Sequence, residues 1–289
     1  MNVEAQQAGA AALACSALSG ETAHRFGAGL VGILHRPAQP AGQRVAVILI
    51  NAGLVHRVGP FRGYVELARV FASQGYPVLR YDVGGLGDSE AARLGSVESR
   101  VTELKSAIEL LEAQVGAARF VLGGICSGAD DGFLLAGLEP RVVGLIMLDG
   151  PAHRAPGYWW RHILHKMMAP RELARSLRLR WAGRPPADDY REFPPRDEAI
   201  AQLGQLVARD VRLFFLHTAG NSHYINHRSQ FFRNFGRVAR ASQVTMDMWR
   251  DCDHTFYLRR DRERLQQTLL AWLQREFAAD PSPLAGRSG

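Results

Sequence analysis

Cys126 lies in the run VLGGICSGADDG, residues 121–132, with one glycine two residues before it and another two residues after it. A side chain projecting from a very sharp strand-to-helix turn takes a strained backbone conformation, so both of those neighbours must be small. Centred on Cys126 they are Gly124 and Gly128. Centred on Ser127 they are Ile125 and Ala129, and Ile125 would crowd the turn. The spacing selects Cys126 as nucleophile and gives Ser127 a backbone task, its N–H serving as one donor to an oxyanion. The competing reading is a buried structural cysteine, because free cysteine often behaves as a small core hydrophobe. The apolar run RFVLG before the turn and the helical ADDGFLLAGL after it favour the nucleophile.

A thiol nucleophile calls for a base. His254, in WRDCDHTF, follows the last strand-like run and precedes the last helical one, where the base of such a nucleophile belongs. A neighbouring imidazole can take the thiol proton, and the imidazolium then stabilises the thiolate. His217, His223 and His227, after the preceding strand, are rivals. The loop HTAGNSHYINH, where an orienting carboxylate is expected, contains no Asp or Glu, and Asn221 or Ser222 stands about where it would be. Asp149, at the end of VVGLIMLD, offers another route to the histidine, and its alternative reading is a loop-fixing carboxylate. Asp251 and Asp253 flank His254 too closely for easy alignment. A thiol needs such an acid less than a hydroxyl does, so a Cys–His dyad is chemically tolerable. NAGLVHRVGP supplies the second oxyanion donor from the N–H of Leu54, or of Gly53. His56 and Arg57 in the same loop are candidates for substrate contact, with solvated loop residues as the alternative.

These residues must be positioned by strands. VAVILI (45–50), YPVLRYD (76–82), RFVLGG (119–124), VVGLIMLD (142–149), VRLFFLH (211–217) and, less continuous, SQVTMDMW (242–249) read as buried strands. Helical periodicity runs over 61–75, 99–116 and 260–277. This alternation implies an α/β fold, a mostly parallel sheet with helices on both faces. ALACSAL and HRFGAGLVGILHRP suggest an antiparallel hairpin at its edge. Between Asp149 and Val211 the alternation breaks for a stretch with several prolines. Residues 150–206 are therefore read as a helical cap inserted into a core of 1–149 and 207–289, placed to roof the crevice where such sheets bind ligands.

With 47% hydrophobic and 22% charged residues, the 289-residue chain has the composition of a globular protein. The net charge of +7 favours anionic partners, but no named nucleic-acid motif accompanies it. Three widely spaced cysteines without a CxxC pair argue against a disulfide framework or zinc site and suit a reducing compartment. AGAAALACSAL lacks a preceding Lys or Arg and follows Glu4, so it does not read as a signal peptide. No apolar run approaches the ~20 residues that span a bilayer. The expected location is the cytoplasm.

NAGLVHRVGPFRGYVELARVFASQGYPVLRYDVGGLGDSE, GGICSGAD and DCDHTF together resemble the α/β-hydrolase superfamily over nearly the whole chain. GYPVLRYDVGGLGDS is similar to serine-aminopeptidase-like and lipase-like members. VGILHRP, NAG..HRVGP and the cysteine turn resemble the hydrolases associated with the exosortase A system and hydrolase-like proteins of peptide and polyketide assembly lines. The resemblance implies acyl transfer at Cys126, with His254 as base, backbone donors at Leu54 and Ser127, and neither cofactor nor metal. The sequence departs from the family pattern at the acid.

From His153 to Arg184 the insertion carries seven arginines and Lys166 against Glu172 alone, interleaved with Tyr158, Trp159, Trp160 and Trp181. Trp159 and Trp160 are candidates for substrate contact. Cationic heads beside aromatic faces suit a phosphorylated, partly apolar ligand: coenzyme A, or the phosphopantetheine arm of an acyl or peptidyl carrier protein. A solvated helical face with core-packed aromatics is the alternative. The expected activity is cleavage of an ester or thioester of a small-molecule acyl substrate through an S-acyl intermediate. The alternatives are transfer of the acyl chain to an amine, alcohol or internal nucleophile, and a non-catalytic binding scaffold.

Overall fold

The computed structural model describes residues 20–39, 44–90, 96–154, 158, 160, 194–222 and 224–277. Eight strands form one sheet: β1 (Glu21–Phe26), β2 (Leu30–His35), β3 (Val45–Ile50), β4 (Val78–Asp82), β5 (Arg119–Ile125), β6 (Val142–Leu148), β7 (Arg212–Thr218) and β8 (Val244–Trp249). Their spatial order is β1-β2-β4-β3-β5-β6-β7-β8. β1 and β2 pair antiparallel with each other, β2 pairs antiparallel with β4, and every other pairing is parallel.

Parallel strands buried on both faces read as unbroken apolar runs, and β3 shows why. Ala46, Ile48 and Ile50 point into one core, while Val45, Val47 and Leu49 point into the other. The helices are α1 (Gly63–Ser73), α2 (Val97–Val115), α3 (Ser127–Leu138), α4 (Arg196–Ala208), α5 (Arg228–Phe235) and α6 (Arg259–Glu276). α2, α3, α4 and α5 close the first core and α1 and α6 the second.

Three differences from the sequence expectations have physical reasons. The edge hairpin is formed by β1 and β2, both within 21–35, because the left-handed glycines Gly27 and Gly29 turn the chain between them. ALACSAL lies outside the described residues. The run RDEAIAQLGQLV, expected inside the insertion, is α4, and it packs on the sheet through Ala199, Leu203 and Leu206. The Gln202 amide ties it to α3 by donating to the Phe133 carbonyl at 2.6 Å. Residues 155–157, 159 and 161–193 of the expected cap lie outside the described residues. Finally, α5 has no counterpart in the sequence reading, since its buried face mixes Gln230 and Asn234 with Phe231 and Phe235 and so lacks a clean apolar period.

Candidate active site

The loops leaving β3, β5, β6 and β8 all emerge at the carboxyl edge of the parallel strands, where open α/β sheets bind ligands. Cys126 stands between β5 and α3 with φ 58° and ψ −122°, a conformation that side-chain-bearing residues hold only when their surroundings impose it. The turn is fixed from several sides. The Cys126 N–H donates to the Leu148 carbonyl at 2.9 Å. The buried Tyr64 hydroxyl accepts from the Ile125 N–H and donates to the Ile50 carbonyl, each at 3.0 Å, and so locks β5 to β3 beneath the turn. A Cβ on Gly124 would lie 2.3 Å from the Gly128 backbone, and one on Gly128 would lie 2.4 Å from the Asn51 carbonyl oxygen. The small residues two before and two after Cys126 are thus a steric requirement. Ser127 opens α3, so its N–H has no carbonyl within the helix and the positive end of the helix dipole faces the turn.

His254 and Asp149 meet at 2.7 Å, from ring Nδ1 to carboxylate Oδ2. Asp149 is completely buried at φ 51°, and its backbone N–H donates to the Leu216 carbonyl at 2.7 Å. Its two oxygens accept from the N–H and the hydroxyl of Thr218, both at 2.6 Å. The carboxylate is therefore clamped to the end of β7 and aimed at the imidazole. Hydrogen bonds to Asp149 and to Cys126 outweigh burial and push the His254 pKa up to about 9, so the ring is cationic at neutral pH. With Nδ1 engaged by Asp149, Nε2 is left for the sulfur.

The loop after β7, where sequence reasoning looked for a carboxylate, instead seats the histidine. A Cβ on Gly220 would lie 2.3 Å from the His254 Cβ, and the Ala219 N–H donates to the Cys252 carbonyl at 3.0 Å. Asn221 is buried with its side-chain nitrogen 3.1 Å from Nδ1 of the equally buried His217. His227 caps α5 by accepting from the Ser229 N–H, and His223 lies outside the described residues. Asp253 binds its own loop, accepting from the N–H and hydroxyl of Thr255, while Asp251 pairs with Arg264.

The loop after β3 begins with a turn closed by the Val55 N–H donating to the Ala52 carbonyl at 3.0 Å, with Gly53 at φ 55°. Leu54 is 90% exposed. The Gly53 N–H donates to the Ser127 hydroxyl at 2.7 Å. Asp82, fully buried at the end of β4, accepts from the Asn51 side chain at 3.2 Å, the Arg57 N–H at 2.6 Å and the Asp88 N–H at 3.2 Å. The Arg57 guanidinium bridges Asp82 and Asp88. Arg57, a candidate for substrate contact, thus has its charge engaged by two carboxylates and holds the loop in place. His56 is partly exposed and lies 3.4 Å from each of the same carboxylates. In shape His56, Asp82 and Asp88 could ligate a metal ion, and the Arg57 guanidinium already pairs with both acids. In the expected cap, Trp160 is 79% exposed, and Tyr158 is buried with the Arg154 guanidinium 5.5 Å from its ring centre. Trp159 lies outside the described residues.

Sequence reasoning missed four residues that build this site: Tyr64, Asp82, Thr218 and Gly220. The second glycine-rich loop, DVGGLGDS, was the available signal for Asp82, since a Cβ on Gly87 would lie 2.2 Å from its carboxylate. Nothing local marked the other three.

The sheet order, the strained turn after β5 and the histidine after the last strand define an α/β hydrolase. The chain belongs to the serine aminopeptidase S33 family, whose pattern matches residues 42–195, more than half of its length. Among solved structures it is similar to a proline iminopeptidase from Mycobacterium smegmatis (TM-score 0.61, 16% identity, 88% of this chain and 98% of that one). It is similar too to an esterase from Pyrococcus furiosus (TM-score 0.59, 13% identity, 88% and 90%). A third is an α/β serine hydrolase without a lid from Xanthomonas campestris (TM-score 0.56, 17% identity, 91% and 98%). No curated protein matches the chain. No helix among the described residues is long and apolar enough to cross a membrane.

Proposed function

We propose that the protein is a cysteine-dependent acyl-transfer enzyme that cleaves an ester or thioester through an S-acyl intermediate. The observation that carries this reading is the line of Asp149, His254 and Cys126 at the tip of the strained turn. The Cys126 thiolate attacks the acyl carbonyl, forming a C–S bond and a tetrahedral oxyanion that the N–H groups of Leu54 and Ser127 receive. As the oxyanion collapses, the bond to the leaving group breaks, and the His254 imidazolium gives that group its proton. The neutral ring then takes a proton from water, whose oxygen attacks the S-acyl carbonyl, and the thiolate departs. Asp149 keeps Nδ1 protonated throughout and fixes the ring. The names of the similar structures, an iminopeptidase, an esterase and a hydrolase, have acyl transfer in common and no single substrate.

A second reading, transfer to an amine, alcohol or internal carbon nucleophile, is favoured by the cysteine itself. Exchange of a thioester onto a thiol is nearly isoenergetic, whereas an oxyester on serine is a deeper sink. Coenzyme A, a small-molecule thioester or a carrier protein would each supply such a donor.

Intact-mass spectrometry after incubation with acyl p-nitrophenyl esters and acyl N-acetylcysteamine thioesters tests both. The expected result is a single acyl adduct on Cys126. Its discharge by water marks hydrolysis, and its persistence until an amine or alcohol is added marks transfer. Turnover by Cys126→Ala at the wild-type rate, with no adduct on the wild type, would overturn both.

A further inference from the structure

The hydroxyl of Ser127 has no task in this mechanism, which uses only its backbone N–H. Its oxygen accepts from the Gly53 N–H at 2.7 Å, across 74 positions of sequence. That contact joins the two halves of the oxyanion site: Gly53 and Leu54 come from the loop after β3, and Ser127 opens the helix after Cys126. The loop is secured at its base, where Asn51 and Arg57 are held by Asp82. At its tip the turn is closed by the Val55 N–H donating to the Ala52 carbonyl and by the Asn51 side chain donating to the Val55 carbonyl at 2.8 Å, both bonds within the loop itself. Leu54, the next amide after Gly53, is 90% exposed and so contributes little packing that would hold the turn. Gly53 also stands at φ 55°, where a residue without a side chain moves most freely. A hydrogen bond at the tip is what such a loop needs, because an oxyanion donor works only if it is already aimed when the charge develops.

We infer that the Ser127 side chain is a positioning residue for the oxyanion loop, latching the Gly53–Leu54 peptide through the Gly53 N–H so that the Leu54 N–H faces the acyl oxygen. This rests on the acyl-transfer reading and deepens it. It also assigns the donors: Gly53 is engaged by the latch, and Leu54 and Ser127 remain for substrate. The residue after the nucleophile thereby serves twice, through its main chain to the substrate and through its side chain to the opposite wall.

Two reactions of one sulfur test this. Alkylation by iodoacetamide is a displacement at carbon that develops no oxyanion, whereas acylation by a p-nitrophenyl ester does. Ser127→Ala and Ser127→Val are expected to alkylate at Cys126 at the wild-type rate but to acylate about ten- to a hundredfold more slowly, in kcat more than in KM. Ser127→Thr, which keeps the hydroxyl, is expected to restore most of the acylation rate. If Ser127→Ala acylates as fast as wild type, or loses alkylation and acylation equally, the latch is wrong. A variant that fails to fold is recognised by its melting temperature, and the comparison of Ser127→Thr with Ser127→Val, equal in shape, then decides. If wild-type Cys126 alkylates but takes no acyl group from any ester or thioester, the acyl-transfer reading itself has failed.

Discussion

Cys126 and Cys252 are both placed at the carboxyl edge of the sheet, and both lie close to His254, one in space and one two residues away in sequence. Their surroundings are opposite. Cys126 is partly exposed at the tip of a strained turn, at the positive end of α3 and hydrogen-bonded to a cationic imidazole. Cys252 is 2% exposed, packed in the second core, with its thiol directed at the Asp253 carbonyl at 3.3 Å. Burial, followed by the nearby carboxylates of Asp261, Asp253 and Asp149, pushes its pKa up to about 12. The fold leaves one thiol accessible beside a histidine at a helix N-terminus and buries the other among carboxylates. The same acid, Asp149, acts in both directions: it holds the imidazolium that supports Cys126 and repels charge on Cys252.

The largest expected effect breaks this comparison if it fails. Cys126→Ala should lower turnover of an activated ester by about a thousandfold or more, and iodoacetamide at neutral pH should label Cys126 and leave Cys252 unlabelled in the wild type. Cys252→Ala should keep wild-type turnover while losing about 1 kcal/mol of stability from the small cavity it leaves. Peptide mapping after alkylation, steady-state kinetics and thermal melts of the two variants check these outcomes. Labelling of Cys252 in the folded protein would show that burial does not protect it as described.

The contrast was only half legible in the sequence. Gly124 and Gly128 marked Cys126 because the turn's steric demand is local, spanning five residues. β3, β5 and β7 were legible for a similar reason, since two-sided burial writes itself into consecutive apolar residues. What makes Cys252 inert is long-range: it depends on which helix covers the loop, and no short motif encodes that. Asp149 shows the same limit. Its position at the end of VVGLIMLD made it a candidate, but its aim comes from Thr218 on the neighbouring strand, 69 positions away. The pairing of Arg57 with Asp82 and Asp88 was not legible because the fold, not the local sequence, brings DVGGLGDS to its loop, and the packing of α4 on the sheet was not because an amphipathic helix in an insertion and one on a core carry the same periodicity.

The next effect sharpens the role of the shared acid. Asp149→Asn keeps the shape of the carboxylate but cannot accept from the ring as a charged group, so the imidazolium loses its main support. A thiol already ionises far more readily than a hydroxyl, so the expected loss in kcat is about ten- to a hundredfold, less than the ~10⁴ known for the equivalent change beside a serine. Wild-type turnover by Asp149→Asn would remove the carboxylate from the mechanism and leave a Cys–His dyad. Because Asp149 also clamps Thr218, the variant's melting temperature must be read beside its kinetics.

The smallest effect is on stability, and its sign follows from the His254 shift. A histidine whose pKa is raised on folding binds its proton more tightly in the native state. The stabilisation is complete below the unfolded value, near 6.5, and is lost as pH rises through about 9. The melting temperature of wild type should therefore fall between about pH 6.5 and 9.5, by a few degrees only, because the ring is partly exposed and solvent screens the interaction. His254→Gln should remove most of that slope, leaving the smaller fall near pH 9 that the raised Cys252 thiol contributes with the same sign, and Asp149→Asn should flatten it, since the hydrogen bond to Asp149 is the largest cause of the His254 shift. Cys126→Ala, which removes the second cause, should flatten it less. If Cys126→Ala removes the whole slope and Asp149→Asn leaves it intact, the sulfur rather than the carboxylate holds the proton on the ring, and the acid's position after β6 would serve the loop instead of the histidine.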